Sequence, residues 1–219
     1  MSVEIEYCDT CTTKEQICAK AQQIKEWFLK AIEEEWAPMS YNDPHVKAFD
    51  QPNKDGKIMI MTKTSFNCDA KKVYDYLTSS DYKQQHAYDS DLLAFERDQV
   101  FKEEGCEVSR TLYKATWPVS PREFISVQCW EQMEDRFVCV QESVNYPLKW
   151  NSVNKDWVRG YKKSGIVMIP DGPNKCEVRR IVIIDARGSV PTWIVGVTKT
   201  DEAKRVAFMK KFCDKTFGQ

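Results

Sequence analysis

The sequence predicts an α+β fold in which a long series of antiparallel strands lies between one helix near the N-terminus and another near the C-terminus. Three observations predict it: helical spacing of apolar residues before residue 37, a two-residue period that begins at Lys57, and a return to helical spacing from residue 192. Consecutive strands with short links favour an antiparallel meander. Helices do not alternate with the strands, which argues against a doubly wound parallel sheet.

The first helix is predicted over about residues 13–36. Thr13-Lys-Glu-Gln16 has the form of a capping box, in which the threonine and glutamine side chains satisfy backbone N–H groups at the helix start. One apolar stripe follows at helical spacing: Ile17, Ala21, Ile24, Phe28, Ile32 and Trp36. Pro38 is expected to end the helix, and residues 42–44 and 50–56 are rich in turn-forming residues and predicted to be connections.

Strands are predicted where apolar and polar residues alternate between turns. The first begins at Lys57, and short helices are expected over residues 70–77 and 81–88. The later strands are predicted at residues 92–98, 106–117, 124–132, 137–144, 157–169 and 176–185. No internal repeat, linker or low-complexity tract interrupts the sequence, so residues 1–219 are predicted to form one domain.

The last helix is predicted over about residues 192–217, after Gly188 and Pro191. Its apolar side is expected to consist of Trp193, Val197, Ala203 or Lys204, Ala207, Phe208 and Phe212. Its other side is basic, with Lys199, Lys204, Arg205, Lys210, Lys211 and Lys215. Such a helix can cover one face of a sheet while it presents cations to solvent.

Composition excludes several classes of function. The 32 basic and 33 acidic side chains balance, so no global field exists to hold nucleic acid. The cysteines are nine, an odd number, with scattered spacing and no apolar leader, which favours a reduced cytoplasmic setting over a disulfide framework. Cys8 and Cys11 form a C-x-x-C, but no second pair accompanies them, so no metal is expected. The longest apolar runs are far shorter than the ~20 residues of a membrane span.

Enzyme motifs are also missing from the sequence. It contains no G-x-S-x-G, no metal-ligand cluster and no phosphate-binding loop, so no catalytic residues and no cofactor are expected. Cys106 or Cys129 could pair with His86 as a nucleophile and base, but a packed thiol is the simpler interpretation.

The segment Trp117-Pro-Val-Ser-Pro-Arg-Glu-Phe124 resembles the strand-turn-strand signature of the START family of lipid-binding domains. Three further pieces follow in the order that this family shows: Ser143-Val-Asn-Tyr-Pro147, Val158-Arg159, and Asp185-Ala-Arg-Gly-Ser-Val-Pro191. The resemblance spans nearly the whole chain. It implies a helix-grip fold, in which a curved nine-stranded antiparallel sheet wraps around a long C-terminal helix and leaves a lipid-sized tunnel.

The resemblance also implies a function. We expect a cytoplasmic, monomeric carrier of one glycerophospholipid that tolerates or prefers anionic head groups and contacts membranes transiently. Two alternatives stay open: a sensor or adaptor that binds a sterol or fatty acid, and a helix-grip enzyme such as a cyclase or hydrolase. Lipid transfer between vesicles would separate a carrier from a sensor.

Arg180 is the first candidate for a head-group anchor. Alternation in the strand 176–185 places Arg180, Val182 and Ile184 on one face, which matches the cavity face of the family. A guanidinium there suits a phosphate or carboxylate. The alternative is that Arg180 points outward or pairs with an internal acid such as Glu142.

The neighbouring strands supply further candidates. The resemblance places Ser109, Thr111 and Tyr113 inward, whereas a slip of one residue would turn Arg110 inward. Arg110 is therefore a second, weaker candidate for an anchor, and exposure to solvent is the simpler expectation. On the next strand the inward candidates are Phe124, Ser126 and Gln128.

Positions that form a choline-binding aromatic cage in relatives match Thr111, Phe124 and Lys163, which disfavours a carrier of phosphatidylcholine alone. Positions of an acid and an arginine in sterol-binding relatives match Ser109 and Gln128, which disfavours a sterol. Lid and membrane contacts are expected from Trp150, Trp157, Trp193 and Val197, and Phe208 is expected to face the lipid.

Overall fold

The computed structural model of the protein describes residues 8–51, 57–79, 86–87, 89–114, 119–147, 157–188 and 190–218. Three helices of at least eight residues lie in these ranges: α1 (Lys14–Ala31), α2 (Ala70–Leu77) and α3 (Thr192–Phe217). The strands are β1 (Ala37–Met39), β2 (Val46–Asp50), β3 (Ile58–Phe66), β4 (Leu92–Phe101), β5 (Cys106–Tyr113), β6 (Arg122–Gln132), β7 (Phe137–Ser143), β8 (Val158–Arg159), β9 (Tyr161–Pro170) and β10 (Cys176–Asp185).

The strands form one curved sheet in the order β1-β2-β3-β10-β9-β7-β6-β5-β4. Every neighbouring pair along this path is antiparallel, and the short β8 pairs with β6 in parallel. The predicted α+β helix-grip fold is therefore confirmed: a large antiparallel sheet is covered by a long C-terminal helix.

The two faces of the sheet carry different helices. On the face that we call the outer face, α1 inserts Ile17, Ile24 and Phe28 among side chains such as Val127 and Ile181. On the inner face, α2 and α3 pack over the sheet; buried residues that connect them include Val73, Met168, Val178, Met209 and Cys213. Because successive side chains of a strand alternate between faces, the register of each strand assigns every side chain to one face.

Helix α1 begins as predicted and ends earlier. Gln16 N donates to Thr13 Oγ1 at 3.3 Å, and Thr13 N donates to Gln16 Oε1 at 3.2 Å, so the capping box is present. The helix ends at Ala31 rather than at Trp36. Glu33, Glu34 and Glu35 follow, and three carboxylates at a helix C-terminus oppose its dipole. Trp36 is still buried, and its Nε1 donates to Ala31 O at 3.1 Å.

Apart from shifts at strand ends, such as β4, which continues to Phe101 instead of ending at residue 98, the strand predictions differ from the structure in two ways. Strands β1 and β2 were not predicted: residues 42–44 and 50–56 were assigned to connections, and no strand was assigned between the first helix and Lys57. Strand β2 contains the alternation Val46 in, Lys47 out, Ala48 in. The strand predicted over residues 157–169 is divided at Gly160 into β8 and β9. A Cβ atom at position 160 would lie 2.6 Å from the ring of Phe124, so glycine permits this close approach.

Helix α3 has the predicted bounds but a different buried side. The buried residues are Ile194, Glu202, Ala203, Val206, Met209 and Cys213. Trp193, Val197 and Phe208, which were expected on the apolar inward side, are 58%, 40% and 64% exposed. In the described part of the chain, no helix is both long enough and apolar enough to cross a bilayer.

Candidate ligand chambers

Two small chambers lie on the inner face beneath α3, each with a volume of about 130 Å³. The polar chamber is lined mainly by side chains of β5, β6, β7, β9 and β10, among them Thr111, Gln128, Gln141, Lys162, Ser164 and Arg180. The apolar chamber lies under the first turns of α3 and is lined by Ile58, Phe124, Ile184, Val190, Ile194 and Val197, among others. Tyr113, Lys162 and Arg205 line both chambers and so mark the boundary between them.

A buried ionic cluster connects α3 to the sheet at this boundary. Arg180 of β10 and Glu202 of α3 form an ion pair at 2.8 Å. Arg205 lies 3.4 Å from Glu202 and pairs with Asp89 at 2.7 Å and Asp91 at 3.0 Å. Burial alone would raise the pKa of Glu202, but the neighbouring cations outweigh it and lower the pKa to about 2. Glu202 is therefore ionised and holds α3 against the sheet.

Lys162 of β9 is the second buried cation of the boundary. It is 6% exposed, and its Nζ lies 5.1 Å from the centre of the Tyr113 ring. Among the described residues no carboxylate lies within 4.0 Å of this ammonium group. Burial lowers the pKa of Lys162 to about 8, and Glu202 partly opposes that shift. The side chain therefore still carries its charge at neutral pH.

A third charged pair lies further along the inner face. Arg97 of β4 contacts Glu107 of β5 at 3.1 Å, and the Glu107 carboxylate has no solvent exposure. Burial raises the pKa of Glu107 to about 7, although Arg97 partly opposes the shift. Arg97 also donates to the carbonyl oxygens of Thr78 and Ser79, so its guanidinium has other acceptors.

We expect Glu107→Gln to stabilise the protein at pH 8 and to leave its stability unchanged at pH 4. The pKa of Glu107 is about 7 in the folded protein and near 4.5 in the unfolded chain, so this carboxyl group favours the folded state most below pH 4.5. The wild-type protein loses that contribution to its free energy of unfolding as the pH rises through about 7. The amide cannot ionise, so its advantage grows to about 3 kcal/mol across that window. Urea unfolding at several pH values measures the difference in free energy of unfolding between the two proteins. The control is Glu104→Gln, which makes the same change at an exposed position. Parallel pH profiles for the wild type and Glu107→Gln would contradict the assignment.

The structure brings several of the predicted site residues together. Arg180, Thr111, Tyr113 and Gln128 line the polar chamber, and Ile184 and Phe124 line the apolar one. Ser126 and Val182 lie on the same inner face, where Val182 packs beside Phe124 and Ala203. The register of β5 is thus the one with Thr111 and Tyr113 inward.

Other predicted site residues lie elsewhere. Glu142 is on the outer face, where it pairs with Lys20 at 3.0 Å and with Lys163 at 3.1 Å, so it is not the partner of Arg180. Arg110 is also on the outer face, but it is buried rather than exposed, because Glu123 and Glu96 bind it at 2.6 Å and 3.0 Å.

Some of the expected lid residues lie at the chambers and others do not. The Trp157 ring lies 5.3 Å from the Arg110 guanidinium on the outer face and not at the lid. Phe208 is exposed on α3 and does not face the chambers, whereas Trp193 and Val197 border the apolar chamber and are partly exposed. Trp117 and Trp150 lie outside the described residues.

Sequence reasoning missed Lys162, Glu202 and the inward role of Arg205. It assigned the cage position to Lys163, which lies on the outer face over Trp27, at 4.2 Å from the ring centre. Arg205 was placed on the basic solvent side of the last helix. No signal in the sequence located the cluster, because the structure alone shows that Glu202 lies on the buried side of α3, where a charge requires partners.

The cysteines of the described residues are free thiols. Cys8 and Cys11 are buried, and burial raises the pKa of each to about 11. The segment that carries them is tied to the sheet, since Cys11 N donates to Asn145 O at 2.9 Å. No group of three or more potential metal ligands occurs within the ranges that the structure describes.

Relatives in sequence are START proteins. A sequence profile of the START domain matches residues 12–214. START domain-containing protein 10 of Mus musculus is 26% identical over 156 residues, which cover 68% of this chain and 50% of that protein. The protein of the same name from Homo sapiens is 26% identical over 135 residues, which cover 58% and 43%. The matches therefore span about half the length of these relatives or less.

Solved structures have the same architecture. The crystal structure of human STARD10 superimposes with a TM-score of 0.76 at 20% identity and covers 97% of this chain and 84% of its own. Human StAR-related lipid transfer protein 5 gives a TM-score of 0.79 at 17% identity and covers 91% and 97%. At such identities the likeness concerns the fold alone. Because the domain profile covers most of the sequence, the chain belongs to the START family of lipid-binding and lipid-transfer domains.

Proposed function

We propose that this protein is a carrier that encloses one glycerophospholipid, tolerates or prefers anionic head groups, and performs no covalent chemistry. The observation that carries the proposal is the pairing of a polar chamber with an apolar chamber under α3. An amphiphile has the same two halves. Enclosure keeps its hydrocarbon from water at ~0.8 kcal/mol per CH₂ group, which a shallow groove cannot provide for whole chains.

A phospholipid requires the interior to widen. Each chamber has about 130 Å³, whereas pockets that enclose drug-sized ligands measure about 300–1,000 Å³. The two chambers meet at Tyr113, Lys162 and Arg205, and movement of α3 away from the sheet would join them. We therefore propose that α3 is the lid, and that the ion pairs of Glu202 and Arg205 hold it closed.

The charge of the interior supports an anionic head group. Lys162, Arg180 and Arg205 gather at the boundary. Glu202 contacts both arginines, and Asp89 and Asp91 also pair with Arg205. Among the described residues, Lys162 has no carboxylate within 4.0 Å. A phosphate in the polar chamber would add the negative charge that this cluster can accept, since buried charges are stable when paired.

The exposed side of α3 supports transient membrane contact. Trp193, Val197 and Phe208 offer apolar side chains at its surface, and Lys204 and Lys211 are exposed beside them. Tryptophan favours the headgroup region, and a lysine near an anionic surface contributes ~1 kcal/mol. We propose that the carrier works in the cytoplasm as one monomeric domain and docks through this side of α3.

Recovery of the bound lipid tests the function. The purified protein is extracted with organic solvent, and the extract is analysed by mass spectrometry; we expect glycerophospholipid, with anionic classes at or above their share of the host membrane. Transfer of fluorescent phospholipid between vesicles then separates a carrier from a sensor, because only a carrier delivers lipid to acceptor vesicles. Recovery of sterol alone, or absence of transfer by lipid-loaded protein, would overturn the proposal.

A further inference from the structure

Lys162 differs from the other cations of the polar chamber. Four cations among the described residues line it: Arg97, Lys162, Arg180 and Arg205. The three arginines each have a carboxylate partner within 3.1 Å, namely Glu107, Glu202 and Asp89 respectively. In the described part of the chain, only Lys162 of these four has no such partner.

A buried cation without a carboxylate in direct contact is costly, so its position needs a physical reason. Lys162 is 6% exposed and borders both chambers. Beside it, the Gln141 side-chain oxygen is buried in the polar chamber without a hydrogen-bond donor among the described residues. Ser126 and Thr62, on the same inner face, carry buried hydroxyls that likewise have no partner there. These groups form a polar lining whose hydrogen bonds the protein itself leaves incomplete.

We propose that Lys162 holds the anionic group of the bound lipid, a phosphate or a carboxylate, with the head in the polar chamber and the hydrocarbon in the apolar chamber. The inference rests on the proposed carrier function and goes beyond it, because it names the anchoring residue and the direction of the ligand. The direction follows from the lining: Ile58, Phe124 and Ile184 lie on the far side of Lys162 from Gln141.

Arg180 has a different role in this arrangement. Its guanidinium is already paired with Glu202 at 2.8 Å, so an incoming anion would have to compete with a carboxylate for it. The Lys162 ammonium group requires no such exchange. Its charge is available at neutral pH, since burial lowers its pKa only to about 8.

Three variants test the inference. Lys162→Met removes the charge and keeps the length of the side chain, and Lys162→Arg keeps the charge. Lys163→Met is the matched control, because it makes the same change one residue away on the outer face. Binding is measured with three probes: phosphatidic acid, diacylglycerol with the same two acyl chains, and a long-chain fatty acid. Thermal unfolding of each variant confirms that it is folded.

We expect Lys162→Met to weaken binding of phosphatidic acid and fatty acid about tenfold or more, as loss of a charged hydrogen bond would. Binding of diacylglycerol should change by less than about twofold, since it lacks the anion. Lys162→Arg and Lys163→Met should bind all three probes like the wild type. If folded Lys162→Met lost affinity for all three probes by the same factor, the inference would be overturned. The lysine would then support the fold and not the anionic group.

Other outcomes separate this inference from the carrier function. If the wild type takes up none of the probes, the carrier function itself fails. If it takes up diacylglycerol and phosphatidic acid equally and Lys162→Met changes neither, the carrier stands and the anchor is wrong. Inorganic phosphate is titrated as a further probe. If inorganic phosphate saturated the Lys162 site without any effect on lipid binding, the lipid would not be the source of the anion, and the inference would be overturned.

Discussion

Glu202→Gln should lower the free energy of unfolding at pH 7 by about 3–5 kcal/mol, the range found when one partner of a buried ion pair is removed. Arg180 and Arg205 both contact this carboxylate, and Lys162 contributes a third positive charge nearby. Without Glu202, these buried cations repel one another, and within the described ranges only Asp89 and Asp91 beside Arg205 oppose them. Urea unfolding followed by tryptophan fluorescence measures the loss.

The pH dependence of this loss identifies its cause. Because the pKa of Glu202 is about 2 in the folded protein and near 4.5 in the unfolded chain, its contribution is present above pH 4.5 and disappears as pH falls towards 2. The gap between wild type and Glu202→Gln should therefore close over that window. Asp201→Asn is the control: it changes the preceding residue, which forms a more exposed pair with Lys204. A loss from Asp201→Asn as large as that from Glu202→Gln would refute the buried cluster as the cause.

The same variant connects stability to the ligand. If an anionic lipid enters beside Lys162, it restores part of the negative charge that Glu202→Gln removes from the cluster. Anionic lipid should then raise the unfolding temperature of Glu202→Gln more than that of the wild type, because a ligand that binds only the folded state stabilises it. A neutral diacylglycerol should raise both by the same amount.

Much of the fold could be predicted because apolar and polar residues alternate in the sequence wherever one face of a strand is polar. The bounds of β10 match the prediction, and those of β6 and β7 differ by at most two residues at an end. Strand β2 was missed for a physical reason. It has only five residues and lies between turn-rich segments, so its two inward positions, Val46 and Ala48, are too few to establish a period.

The buried side of α3 could not be predicted by apolar character. Its largest exposed apolar residues, Trp193, Val197 and Phe208, follow a helical stripe as regular as the buried one. The buried stripe contains Glu202, a residue that a search for apolar positions rejects. A helix that closes a polar interior therefore breaks the rule that the apolar side faces inward, and the break coincides with the candidate site.

The register of β9 illustrates the same limit. Lys162 and Lys163 are adjacent, and both faces of the following residues are apolar: Ile166 and Met168 inward, Val167 and Ile169 on the other side. With apolar residues on both faces, alternation does not distinguish inside from outside. The inward lysine could be identified only when the pairing of β9 with β7 and β10 was known.

Ser164→Phe should abolish most lipid transfer while the protein remains folded. Ser164 is buried on the inner face of β9, where it lines the polar chamber between Gln141 and Val182 of the neighbouring strands. A phenyl ring there would occupy much of a space of about 130 Å³. Overpacking costs about 1–3 kcal/mol, and a head group that must displace the ring meets a penalty of that order, which corresponds to about fivefold to a hundredfold in affinity.

Ser164→Ala is the matched control for this variant, because it removes the hydroxyl and adds no volume; it should transfer lipid at nearly the wild-type rate. Circular dichroism and thermal unfolding establish that Ser164→Phe is folded before transfer is measured. If folded Ser164→Phe still carried phospholipid at the wild-type rate, the lipid could not lie in the polar chamber. The ligand would then have to bind without its head near Lys162, and the distinction between the two chambers would lose its functional meaning. The result therefore decides whether the lipid is selected by the division of the interior into a polar and an apolar chamber, or only by the presence of a cavity.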